Sequence, residues 1–239
     1  MLSIVQNFVC NKEERLDVVK RNSKKLGKVF SDTDFFINYN SNINLEVVKS
    51  HYLSNIPKIS LYNDLTRDWA LVTLALVKEV KTPYVMYICE DMEVNCSDKE
   101  MWNILNEFIK NDFDLCFLSK IRKYLQEEYV NGYTPYNTIS SPGYESMDYG
   151  YFYLGKHAPH KRVPVDAIFK TKWFIDRLEE FLLEGENCTH DIPYRKKHLP
   201  NFWEGYYDFQ NGMRRFSQFK CYIPKIEIFK EFDDVKDKA

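Results

Sequence analysis

Tyr84-Val85-Met86-Tyr87-Ile88-Cys89-Glu90-Asp91-Met92-Glu93-Val94 runs from an apolar strand straight into three acids interrupted by one methionine. Carboxylates at the end of a buried strand are costly unless something binds them. A hard cation carrying a phosphate-bearing ligand supplies that compensation, because Mg²⁺ or Mn²⁺ prefers one or two protein carboxylates plus substrate oxygens to a complete protein cage. The stretch leads to the expectation of a metal-assisted transferase. Asp91 and Glu93 lie two apart, so on a continued strand they would share a face and serve one ion while Met92 turned away. Glu90 stands beside them as a third ligand or a donor contact. An acidic turn after a strand looks the same in isolation, so the flanking sequence has to decide.

Outward from this stretch, strands and helices alternate. Leu2 to Val9 reads as a strand, Lys12 to Leu26 as a helix closed by Gly27, Asp34 to Ser41 as a second strand, and Leu45 to Tyr52 as a short helix. Lys58 to Tyr62 forms a third strand. Thr66 to Val80 gives the clearest helix, with Trp69, Val72, Leu76 and Val80 at spacings of three and four. Trp102 to Ile109 is then a helix and Phe113 to Leu118 a strand. Such alternation is the signature of βαβ units and a mostly parallel sheet covered on both faces. Ligands of open sheets collect beyond the carboxyl ends of the strands. Asn7 to Asn11, Asn38 to Ser41 and Glu90 to Glu93 should therefore open onto one edge.

Between Arg122 and Lys161 the pattern dissolves into Tyr, Gly, Ser and Pro, which suggests a long functional loop, since disordered segments lack such aromatic density. Val163 to Phe169 resumes a strand, Lys172 to Leu183 a helix, and Phe219 to Phe229 a strand.

Composition narrows the function classes. The chain has 239 residues, a length that one α/β domain accommodates, and its 33 basic against 35 acidic side chains create no field for nucleic acid. Six cysteines without a CxxC pair argue against a zinc framework or a redox motif. No apolar run approaches the roughly 20 residues needed to span a bilayer, so a cytoplasmic protein is expected, with peripheral contact at the inner membrane surface if its acceptor is lipid-linked.

Ile37-Asn38-Tyr39-Asn40-Ser41, then Leu45-Glu46-Val47-Val48, then Asn63 to Trp69, then Tyr84 to Val94 together resemble, in order and spacing, the first half of family-2-like glycosyltransferases with the GT-A fold. The resemblance implies a single GT-A-like α/β domain with a mixed, mostly parallel sheet. Residues 1–120 would bind nucleotide sugar and metal, and residues 121–239, including the Tyr-rich loop 122–161, would shape the acceptor site. It implies that Asn38 and Asn40 hold the base and ribose of a nucleotide-sugar donor, that Arg67 and Asp68 line the donor site, and that Asp91-Met92-Glu93 is the DxD-type metal site for Mn²⁺ or Mg²⁺. Asn38 and Asn40 replace the acids common in the family, so amide hydrogen bonds would take over base recognition. Lys230-Glu231 stands where a related pattern carries a late metal-binding histidine.

Two acids compete for the base that removes a proton from the acceptor hydroxyl. Asp191, in Thr189-His190-Asp191-Ile192-Pro193-Tyr194-Arg195, is similar to the family's acid-then-arginine segment. Glu204, in Asn201-Phe202-Trp203-Glu204-Gly205, has aromatic neighbours that could raise its pKa. Trp203 offers a face on which a pyranose could stack. Asn11 and Arg15, just past the first strand, are placed to approach the nucleotide, or equally to cap the next helix and face solvent. The acceptor is a glycan, lipid-linked or small-molecule hydroxyl. Two alternatives are a nucleotidyltransferase on a similar scaffold, against which the glycine-free Asn7 to Lys12 speaks, and a non-catalytic carbohydrate-binding or interaction protein.

Overall fold

The computed structural model describes residues 1–9, 15–40, 43–53, 55–56, 58–62, 69–89, 92–118, 144–146, 148–154, 166–184, 219–224, 226 and 228–231. In chain order these form β1 (Leu2–Val9), α1 (Arg15–Val29), β2 (Asp34–Asn40), α2 (Leu45–Leu53), β3 (Ile59–Tyr62), α3 (Trp69–Glu79), β4 (Tyr84–Cys89) and β5 (Met92–Val94). There follow α4 (Asp98–Lys110), β6 (Leu115–Phe117), β7 (Tyr144–Ser146), β8 (Gly150–Leu154), β9 (Ala167–Lys170), α5 (Thr171–Glu184), β10 (Lys220–Pro224) and β11 (Phe229–Glu231).

Nine strands make one sheet in the order β3-β2-β1-β4-β9-β6-β10-β8-β7. From the pairings, β9 and β8 run against the other seven, so the sheet is mixed and mostly parallel, as expected. Although β9 comes from the second half of the chain, it lies between β4 and β6, so the two halves share one sheet. A second, two-stranded sheet pairs β5 with β11.

Both faces of the sheet are buried, which explains the near-continuous apolar strands. Ile4, Ile37, Met86 and Ile88 pack on α1, α2 and α4, while Val5, Val85, Tyr87 and Phe169 pack on α3 and α5. Burying each large side chain contributes about 1.5–3 kcal/mol, and a one-residue slip would send every one of them to the wrong face. The register of β4, and with it the point where the chain leaves the sheet at Cys89, is held by this packing. Downstream, Ser97 starts α4 with a capping box, accepting from the Glu100 N–H while the Glu100 carboxylate accepts from the Ser97 N–H at 2.8 Å.

Three expectations need correction. Gly27 does not close the first helix, because α1 continues to Val29. An added Cβ at Gly27 would sit 2.0 Å from the Asn55 carbonyl oxygen, so this glycine permits the close approach of α1 to the turn after α2. The Tyr-rich stretch is not irregular throughout, since β7 and β8 lie in it, and β8 pairs with β10 from Gly150↔Pro224 to Leu154↔Lys220. Cross-strand pairing supplied the order that its turn residues concealed. The strand expected from Phe219 to Phe229 is two strands in different sheets, separated after Pro224, whose missing N–H ends the ladder. Glu93 belongs to β5, in the second sheet with β11, while Asp91 lies outside the described residues. Among the described residues no helix is long and apolar enough to cross a membrane.

Candidate active site

The carboxyl ends of the first strands are level. Asn7 is the register partner of both Asn38 on β2 and Cys89 on β4, and Asn38 is in turn the partner of Tyr62 on β3. Antiparallel β9 starts at this edge, with Asp166 just before it, and β6 ends here at Phe117. The parallel crossovers α1, α2 and α3 return the chain each time to the far edge, which is why segments distant in sequence meet here.

Beneath the rim lies a buried polar network. The Asn7 amide Nδ2 donates to Thr73 Oγ1 at 2.8 Å and to the Tyr87 hydroxyl at 2.9 Å, and Trp69 Nε1 donates to the same hydroxyl at 2.6 Å. Trp69 and Tyr87 also meet edge to face, with ring centroids 5.5 Å apart. Burial, followed by the nearby Cys89, pushes the Tyr87 phenol well above its ordinary value, so it stays neutral. The network ties the start of α3 to β1 and β4. Among the described residues Asn7 Oδ1 has no hydrogen-bond partner, and neither has Gln6 Nε2, whose own Oε1 accepts from Tyr52 at 2.7 Å. Buried polar atoms left open beside a ligand edge are the kind that a bound polar molecule completes.

The acidic stretch is held on its downstream side. Strand β5 pairs antiparallel with β11, setting Glu231 opposite Met92 and Lys230 opposite Glu93. From α1, Asn22 donates to the Met92 carbonyl and Lys25 forms an ion pair with Glu93. Met92 is buried, and Glu93 is mostly so. Carboxylate oxygens suit Mn²⁺ or Mg²⁺, but the Glu93 carboxylate already has a cationic partner in Lys25 and would serve a metal only in exchange for that ammonium. Among the described residues no group of three or more His, Cys, Asp or Glu is arranged to hold a metal.

Of the other candidates, Asn38 is wholly buried and level with Asn7, which puts it under the rim. Asn40 ends β2 opposite Val9, and Arg15 opens α1. Asn11, Arg67, Asp68, Glu90, Asp91, Asp191, Trp203 and Glu204 lie outside the described residues. Residues that sequence reasoning did not single out are Thr73 and Tyr87 of the polar network, Lys25, and above all Asp166. Asp166 is buried, and its Oδ1 accepts from the Cys89 N–H at 2.9 Å. The signal was present: it is the single acid in Val163-Pro164-Val165-Asp166-Ala167-Ile168-Phe169.

No family model matches the chain, and no curated protein matches it. Solved structures do. TarS from S. aureus, residues 1–349 in complex with UDP-GlcNAc, superposes with a TM-score of 0.56 at 9% identity, covering 100% of this chain and 61% of that one. TarS is a GT-A glycosyltransferase. This chain has a GT-A-like fold. It spans about three fifths of the length of TarS 1–349. Two nucleotidyltransferases share the scaffold. The 4-diphosphocytidyl-2C-methyl-D-erythritol synthase from Anaerococcus prevotii superposes at TM-score 0.52 and 11% identity, covering 98% of this chain and 92% of that one. A CMP:2-keto-3-deoxy-manno-octonic acid synthetase complexed with CTP reaches 0.50 at 7% identity, covering 99% and 95%. What these neighbours share with the chain is the α/β scaffold.

Proposed function

We propose that the chain transfers a sugar from a nucleotide-diphosphate donor to a hydroxyl of a glycan, lipid-linked or small-molecule acceptor, with inversion and with the help of Mn²⁺ or Mg²⁺. The observation that carries this is the level edge formed by Asn7, Asn38 and Cys89, from which the chain passes directly into Glu90 and Asp91. In this reading Asn38 and Asn40, with Asn11 and Arg15, approach the base and ribose. Arg67 and Asp68, which precede Trp69 in the sequence, line the donor. Asp91 holds the cation, and Glu90 or a Glu93 released from Lys25 completes its protein ligands. The bound cation supplies compensation for the negative charge on the departing diphosphate. Asp191 takes the proton of the acceptor hydroxyl as its oxygen attacks the anomeric carbon, with Glu204 the competing base and Trp203 the face on which the acceptor ring stacks. Such a protein would work in the cytoplasm, at the inner membrane surface if the acceptor is lipid-linked.

A nucleotidyltransferase is the second reading, favoured by the near-complete coverage of the two nucleotidyltransferase neighbours. Against it stands the glycine-free Asn7 to Lys12, where attack at an α-phosphate calls for a flexible phosphate loop. One experiment separates the two. Incubation with a panel of nucleotide sugars and, separately, with nucleoside triphosphates plus a sugar phosphate, each with and without Mn²⁺, should release nucleoside diphosphate only from the first set. Pyrophosphate from the second set would establish the rival activity. Failure of both, with no Mn²⁺-dependent rise in melting temperature for any nucleotide sugar, would leave a non-catalytic scaffold.

A further inference from the structure

We propose that Asp166 is a positioning residue that fixes the carboxyl end of β4 at Cys89, from which the sequence continues into Glu90 and Asp91; the inference deepens the transferase reading and rests on its nucleotide and metal site. The ladder between β4 and β9 has its last rung at Tyr87↔Ala167. The Cys89 N–H lies past that rung, and the Asp166 carboxylate stands in for the missing backbone acceptor, at 2.9 Å. The same residue's carbonyl accepts from Leu118 N at 3.1 Å, and the Leu118 carbonyl accepts from Ile228 N at 3.1 Å and Phe229 N at 2.9 Å. Those two residues lead into β11, which pairs with β5, and the Ile228 carbonyl takes the Asn95 N–H at 2.7 Å. A series of hydrogen bonds therefore runs from Cys89 through Asp166, Leu118 and Ile228 to Asn95, just past β5.

In the sequence only Glu90 and Asp91 separate Cys89 from Met92. Downstream, β11, Asn22 and Lys25 hold β5. Upstream, the Asp166 side chain does the equivalent work by accepting from the last N–H of β4. Asp166 is 5% exposed, and burying a carboxylate is costly unless it gains hydrogen bonds and a task. A charge-assisted bond to an amide at the neck of a ligand site provides both. Outer-shell partners of this kind orient the groups that touch the ion.

The test uses binding of UDP in the presence and absence of Mn²⁺, followed by calorimetry and by the electron paramagnetic resonance of the bound Mn²⁺. Asp166→Asn keeps an acceptor for Cys89 N–H and should bind within about twofold of the unsubstituted protein, whereas Asp166→Ala should lose about tenfold or more of the Mn²⁺-dependent affinity and change the resonance line shape. Equal binding by Asp166→Ala overturns the positioning role and leaves the transferase reading standing. A large loss in Asp166→Asn also overturns it, because the negative charge itself would then be the contact; this comparison needs no folded alanine variant. Absence of any Mn²⁺-dependent UDP binding by the unsubstituted protein, combined with no response to other nucleotides, overturns both proposals.

Discussion

The two edges of the sheet are furnished in opposite ways. At the edge where the parallel strands begin, charge is matched within the fold. Lys170 Nζ contacts Asp112 Oδ1 at 2.9 Å and Asp114 Oδ1 at 3.1 Å, Asp114 Oδ2 accepts from Lys220 N at 2.7 Å, and Lys220 Nζ donates to the Asn111 carbonyl at 2.7 Å. Burial pulls the Lys170 ammonium down, but the bonds it donates to Asp112 and Asp114 outweigh this and raise its pKa. At the carboxyl edge, acids lead out of the sheet, Asp166 is spent on a backbone amide, and Asn7 Oδ1 finds no partner among the described residues. A closed network serves stability, and one left open toward a rim serves a ligand.

The sharpest way to break this contrast is to exchange one acid at each edge. Asp91→Asn should lower nucleotide-sugar turnover by about 100-fold or more with little change in melting temperature, whereas Asp114→Asn should lower melting temperature with turnover intact. Equal turnover losses would erase the distinction. Next in size is Tyr87→Phe, which removes the oxygen accepting from Trp69 and Asn7 and should cost about 1–3 kcal/mol in urea unfolding. It should also weaken donor binding, because the start of α3 loses its tether. A stability loss with unchanged donor affinity would assign that network to the core alone.

Smallest is Lys170→Met, expected to cost about 1 kcal/mol at neutral pH because Asp112 faces solvent. The sign with pH follows from the raised pKa. Stabilisation by Lys170 is fully present below the unfolded value near 10.5 and is lost as pH rises through the higher folded value, so the gap between the two proteins should close in alkaline solution. A gap that widens instead would mean that Lys170 is held neutral.

The first 118 residues were legible because each element carries a local signal. Trp69, Val72 and Leu76 mark α3 by their spacing, and Tyr84 to Cys89 mark β4 by an unbroken apolar run. The level edge followed from alternation alone. Gly27 misled because a glycine that admits Asn55 is indistinguishable, in sequence, from one that ends a helix. The ion pair of Glu93 with Lys25 had no local signal either, since it joins residues 68 positions apart in the chain.

By itself the sequence determined the alternation of strand and helix, the mostly parallel sheet and the edge at which its acids emerge, because those depend on short-range hydrophobic periodicity and chain direction. Tertiary structure alone decided that β9 enters between β4 and β6, that β11 clamps β5, that Lys25 claims Glu93 and that Asp166 holds Cys89. Pairing between distant segments has no local signature: it is chosen by which buried N–H, carbonyl and charge each fold leaves in need of a partner.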